Sequence, residues 1–244
     1  CIDFLNGDYM TQESTEDLTS KIISSSKEIM DLLKRDNIKL EEVDDYHIYP
    51  VADNDTPKLS ADRLEYSLSN ALLTNKLLNI DEIKKIYNDV ILDKDEDGTL
   101  ELSFKSKDTA LEFVKITSKL SIIYRDDRTR YSMQLLADII KKLNEDGLIT
   151  KEDLYNKKGS EVIEIIENSK YKDVFNIWKN AKNVKVSKEK QKNVYFVHHG
   201  AKIRYIDPLV NKKRISSISE EANKEIDKNL SYDMNNYVYL DFNF

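Results

Sequence analysis

Apolar residues recur at helical spacing over most of the chain. Leu18, Ile22, Ile29 and Leu33 fall on one stripe at intervals of 4, 7 and 4, which predicts a helix over residues 14–35. Glu16 and Asp17 suit its positive end, and Asp36-Asn37 stops it. A turn-rich stretch follows over 39–57. Ser60 then reads as the N-cap of a helix to about residue 78, with Leu64, Leu68, Ala71 and Leu72 on its buried side. The period changes between 86 and 104. Val90-Ile91-Leu92, a polar tip ending in Asp97-Gly98, and the alternating run from Leu100 to Phe104 predict a β-hairpin. Helical spacing resumes over 108–124 and from about 130 to 145, where Gly147 ends it. Thr150 reads as the cap of a short helix, and two more helices are expected over 160–169 and 171–181. In the last sixty residues, 193–197 and 202–206 flank His198-His199-Gly200-Ala201 like a second hairpin. Ser219 caps a helix to about 230, and 237–242 alternates as a third strand. The expected organisation is a mainly α domain over 1–185 and a small α+β appendage over 186–244, with 185–192 as the linker.

Composition narrows the class. The chain has 244 residues, enough for one large domain or a domain with an appendage. Gly (5) and Pro (3) are too scarce for a turn-dense β-sandwich or barrel. Cys1 is the single cysteine, which excludes an intramolecular disulfide framework and a zinc ribbon. No stretch approaches the roughly 18 apolar residues of a membrane span. A net charge of -7 disfavours strong nonspecific nucleic-acid binding. These features lead to the expectation of a cytoplasmic protein with no membrane partner.

Chemistry concentrates in residues 62–70. At about 100° per residue, Asp62, Tyr66, Ser69 and Asn70 fall within an arc of roughly 100°, opposite Leu64, Leu68 and Ala71. A carboxylate, a phenol and an amide along one helix edge suit a metal and a phosphorylated ligand, or simply a solvated edge. The run Ala61-Asp62-Arg63-Leu64-Glu65-Tyr66 with Asn70 resembles the closing motif of the HD-domain metal-dependent phosphohydrolases. It is most similar to the branch that includes deoxynucleoside triphosphate triphosphohydrolases. That resemblance implies an HD-type helical domain with a β-hairpin insertion near 88–104. It also implies Asp62 as the last metal ligand, and Arg63, Tyr66, Asn70 and Arg125 as contacts to phosphate and sugar. Gln12-Glu13 resembles a His-Glu catalytic element, with Glu13 as the catalytic residue and Gln12 in place of the His.

The family's metal site also needs an upstream His and a His-Asp pair. This chain contains no His-Asp dipeptide, and its three His are His47, His198 and His199. Cys1-Ile2-Asp3-Phe4 resembles the stretch just after the family's His-Asp helix, which implies the C-terminal part of a longer chain. The expectation is therefore a phosphohydrolase acting on a nucleotide or related phosphate ester, inactive or weakly active as this chain. Its divalent metal would be held mostly by residues outside it, and a homo-oligomer stays open. The alternative is a non-catalytic nucleotide- or partner-binding HD-like protein.

Four other signals have plainer explanations. Residues 93–101 match the first part of an EF-hand loop, but position 12 is Phe104 and the flanks alternate like strands. Adjacent His198 and His199 would point to opposite faces of a strand. Cys1 has no neighbouring base. Residues 182–214 carry ten Lys/Arg against two acids, with Tyr195, Phe196 and Tyr205 interleaved. That is a nucleic-acid footprint or, as we read it, a solvated Lys-rich segment.

Overall fold

The computed structural model describes residues 2–14 and 18–243. More than half of the residues are helical and the sheets are small, so the protein is mainly α. In chain order the helices are α1 (Ile2–Leu5), α2 (Thr19–Ser25), α3 (Lys27–Asp36), α4 (Ala61–Ser69), α5 (Ile80–Asp89) and α6 (Lys107–Tyr124). They continue as α7 (Asp127–Glu145), α8 (Asp153–Asn156), α9 (Gly159–Glu167), α10 (Lys172–Asn180), α11 (Ile215–Ile218) and α12 (Glu220–Leu230). The strands are β1 (Val90–Lys94), β2 (Leu100–Phe104), β3 (Lys185–Ser187), β4 (Phe196–Val197), β5 (Leu209–Val210), β6 (Lys213–Arg214) and β7 (Tyr237–Tyr239). The chain forms two compact units. One comprises residues 1–16, 124–202 and 233–244, the other 17–123 and 203–232. Both are discontinuous, so the division runs differently from the expected boundary near residue 185.

In the first unit α7 is the spine. Asp126 caps it by accepting from the Thr129 N–H at 2.7 Å. Tyr131, Leu135, Ile139 and Leu143 recur every fourth residue and form a fully buried stripe. Against it pack Ile149, Ile166, Phe175, Val197, Val238 and Leu240. The second expected hairpin does not form. Phe196 and Val197 pair with Tyr239 and Val238 of β7, and residues 202–206 hold no strand. Residues 185–192, expected as a linker, begin with β3, which pairs with the other edge of β7. The physical reason is that Val238 and Val197 bury themselves in the core of this unit only if β7 lies between β3 and β4.

The second unit carries the expected hairpin, with β1 and β2 antiparallel from Val90↔Phe104 to Lys94↔Leu100. Its four-stranded sheet has the order β1-β2-β5-β6, and β5 joins β2 in parallel. The helix expected over 14–35 is broken at Ser26, whose backbone is extended and whose side chain accepts from the Ile29 N–H. Ser24, Ser25 and Ser26 compete with helical bonding in this way. Ile22 and Ile29 of the expected apolar stripe are exposed. Part of that helix, residues 15–17, lies outside the described residues. The helix expected to reach 78 ends as α4 and passes into a π turn over Asn70–Thr74. Helix α5 was not expected, although Asn79 and Glu82 form a capping box that the sequence carries as Asn-x-x-Glu.

An alternating strand ordinarily turns its leucines inward, but β2 does the reverse at its start. Leu100 is exposed while Glu101 is fully buried. The Glu101 carboxylate accepts from Arg214 Nη1 at 2.7 Å and Nη2 at 2.9 Å, and from the Leu59 N–H at 2.9 Å. Burial alone would lower the pKa of Arg214, but its bonds to Glu101 and Glu96 hold it above the ordinary arginine value. Arg214→Leu is expected to cost about 3–5 kcal/mol in chemical denaturation, because it leaves Glu101 buried without its counter-charge. Glu101→Met added to Arg214→Leu should recover part of that loss. In the first unit, Ile139→Ala should cost about 2–5 kcal/mol. The fluorescence of Trp178, the single tryptophan, reports that core, against which it packs.

Candidate functional site

Residues 49–60 build the approach to α4. The N–H groups of Ala61 and Asp62 donate to the carbonyls of Val51 and Ala52 at 2.8 and 3.0 Å. The Ser60 side chain caps α4 by accepting from the Arg63 N–H at 3.2 Å, and it donates to Asp53 Oδ1 at 3.2 Å. Leu64, Leu68 and Ala71 are buried as the helical spacing predicted. The opposite edge therefore presents Asp62, Tyr66 and Asn70 together.

The four residues on this helix have different surroundings. Asp62 is exposed, and among the described residues its carboxylate has no hydrogen-bonding partner. Partial desolvation, then the Asp53 carboxylate, push its pKa up, against the pull of Arg63. Tyr66 is half-buried; burial raises its pKa, and the charges of Arg63 and Arg204 oppose that rise. Arg204 is a residue the sequence reading missed, because it lies far along the chain in a segment without regular structure. Asn70 opens the π turn and accepts from the Asn75 N–H at 2.9 Å through its carbonyl.

Arg63 is committed to its own loop. Its Nη1 donates to the Lys58 carbonyl at 2.8 Å and to Asn54 Oδ1, and its Nη2 donates to the Asn54 carbonyl. Asp53 Oδ1 lies 3.8 Å from Nη2. A guanidinium so engaged fixes residues 53–58 and has few donors left for a ligand.

Glu13 and Arg125 belong to the other unit. Glu13 lies in a loop organised by Asp8, which accepts from the N–H groups of Gln12 at 3.0 Å and Glu13 at 2.9 Å. The Thr11 hydroxyl and these N–H groups hold the Asp8 carboxyl well below the usual carboxylate range. Lys202 Nζ approaches Glu13 at 3.4 Å. Gln12 takes a left-handed backbone, φ 55°, and its amide donates to the Tyr9 carbonyl at 3.1 Å. Arg125 is only 1 % exposed.

The remaining candidate signals resolve into structure. Asp95 at the hairpin tip accepts from the N–H groups of Asp97 and Thr99 and from Lys58 Nζ at 2.6 Å, so its oxygens close a turn. His199 stacks on Tyr9 at 4.0 Å and donates from Nδ1 to the Gly200 carbonyl at 2.6 Å. His198 stacks on Tyr237 at 4.0 Å. In the basic segment Lys185 pairs with Asp241 at 2.6 Å and Lys188 with Asp233 at 2.5 Å. Cys1 lies outside the described residues. A cleft of about 480 Å³ runs along the adjoining side of α4, lined by Leu64, Glu65, Leu68, Tyr87 and Leu102 among others. None of Asp62, Tyr66 and Asn70 lines it.

Among the described residues no group of three or more His, Cys, Asp or Glu side chains is arranged to hold a metal ion. A catalytic metal needs about three fixed protein ligands and an open position. The donors around Asp62 therefore do not fit such a metal by themselves.

Arg63→Ala should lower stability by about 1–3 kcal/mol, because the carbonyls of Asn54 and Lys58 lose their charged donor. Calorimetry checks this. For Asp62 the sign is opposite. A raised folded-state pKa means that stability falls as pH rises from the unfolded carboxylate value through the folded one, and stays lower above it. Asp62→Asn should thus cause no loss at pH 7, with a gain of at most about a few tenths of a kcal/mol given its exposure. The difference should vanish near pH 3.

No family model, curated protein or solved structure matches this chain.

Proposed function

We propose that the protein is an HD-type phosphohydrolase acting on a nucleotide or related phosphate ester, with the edge of α4 as its substrate-facing element. The observation that carries this reading is Asp62. A carboxylate that accepts no hydrogen bond among the described residues, stands beside a second acid and is pushed up in pKa is poised to take a cation. Tyr66, one turn along the same edge, offers a phenolic donor to a phosphate or sugar oxygen. The metal would supply activated water, and the reading requires ligands beyond Asp62 that the described residues do not provide. Within this chain Asp62 contributes one carboxylate, and Tyr66 contributes a phenolic donor to the substrate.

A second reading, a non-catalytic nucleotide- or partner-binding protein, is favoured by the loops around Arg63 and Gln12. Arg63 is spent on the backbone, and Gln12 cannot transfer a proton. Dialysis against Mn²⁺ followed by elemental analysis, with phosphate-ester hydrolysis measured in parallel, separates the two. On the first reading the chain takes up Mn²⁺ weakly, and Asp62→Ala abolishes the uptake while the far-ultraviolet circular dichroism is unchanged. Uptake that survives Asp62→Ala, or no uptake by either protein, overturns the assignment of Asp62. Nucleotide binding without metal uptake or hydrolysis supports the second reading.

A further inference from the structure

One face of the three-stranded sheet in the first unit is built largely of rings. Strand pairing sets Lys185 and Phe196 on either side of Tyr239, and Ser187 opposite Tyr237. The same register carries His198 to Tyr237, and the two rings stack at 4.0 Å with their planes 5° apart. Side chains alternate between the faces of a strand. Val197 and Val238 enter the α7 core, so Phe196, His198, Tyr237 and Tyr239 share the other face. Phe196 meets the Tyr237 ring edge-on at 5.3 Å. His198 Nε2 donates to Asn235 Oδ1 at 2.9 Å, which holds the imidazole in place. His198 is exposed, and the other three rings are half-buried.

Lysines border these rings. Lys190 Nζ lies over the Phe196 ring, 5.1 Å from its centre. Lys188 Nζ donates to the Asn235 carbonyl at 3.2 Å, beside the partner of His198. Lys185 and Lys188 pair with Asp241 and Asp233, and all four side chains are exposed. Exposed pairs are worth about 1 kcal/mol or less, so a phosphate can replace either carboxylate at small cost. Among the described residues Lys190 forms no ion pair.

We propose that this face is a stacking platform for single-stranded nucleic acid. One base extends the His198–Tyr237 stack, a second lies on Tyr239, and the flanking phosphates meet Lys185, Lys188 and Lys190. Rings offer every base a flat partner, and the bordering ammonium groups match the charge of the backbone between the bases. A duplex keeps its base faces inside its own stack and cannot use the rings. The platform is separate from the edge of α4 and does not rest on the phosphohydrolase reading. Because the chain as a whole carries a net charge of -7, the dissociation constant should be modest, about 1–100 µM.

The test is fluorescence anisotropy of a labelled oligothymidylate of about 15 nucleotides, titrated with the whole chain. The native chain should bind it, and log K should fall against log salt with a slope of about -2, for three phosphate contacts. His198→Ala and Tyr239→Ala should each weaken binding about tenfold and leave that slope unchanged. Replacing Lys188 and Lys190 together by Gln should make the slope shallower by about 1. No binding by the native chain, or equal binding of a duplex of the same length, overturns the proposal. So does native affinity in both ring variants, which would mean attraction of a polyanion and nothing more. Should Tyr239→Ala fold poorly, the exposed position 198 decides alone. His198→Tyr should then bind like the native chain and His198→Ala should not, and equal binding by the two overturns the platform.

Discussion

The buried pair of Glu101 and Arg214 is the constraint on which the second unit depends. A carboxylate with no exposed surface stays charged only with a counter-charge and filled hydrogen-bond positions. Arg214 provides the first by a two-pronged contact, and the Leu59 N–H fills a further position. One side chain thereby joins the hairpin, the strand β6 at the far edge of the sheet and the loop that leads into α4. The Leu102 N–H returns a bond to the Leu59 carbonyl at 3.3 Å. Where α4 begins, and hence which way its polar edge faces, follows from that junction.

The first unit solves a different problem. Its strands are only two or three residues long, too short to be stable as free hairpins. They persist because β7 has a neighbour on each side and turns Val238 into the α7 core. The segment carrying His198 and His199 is held by ring stacking against Tyr237 and Tyr9, and not by a hairpin of its own. The Lys202 N–H completes this with a bond to the Tyr9 carbonyl at 2.8 Å. Histidines used in this way serve as flat aromatic surfaces.

At the candidate site, charge and its commitment matter more than residue type. Two acids lie near the start of α4, yet Asp53 is engaged by Ser60 and Arg63 while Asp62 has no such partner. The hydrogen bonds show that Arg63 and Asp53 hold the frame of the loop that leads into α4.

The sequence by itself determined what depends on neighbours within a few turns. The caps at Ser60 and Ser219, the long stripes of α6 and α7, the β1–β2 hairpin and the shared edge of Asp62 and Tyr66 all follow from local periodicity and short-range hydrogen bonding. Helix α5 was legible too, through its Asn79–Glu82 capping box, and was masked by the apolar run that follows it. Only the tertiary structure decided that β7 pairs with segments more than thirty residues away and that Glu101 turns inward where Leu100 turns out. Each of these outcomes depends on a partner distant in sequence. An inward-facing glutamate is forbidden or favoured according to whether an arginine 113 residues later arrives beside it. No local pattern encodes that arrival.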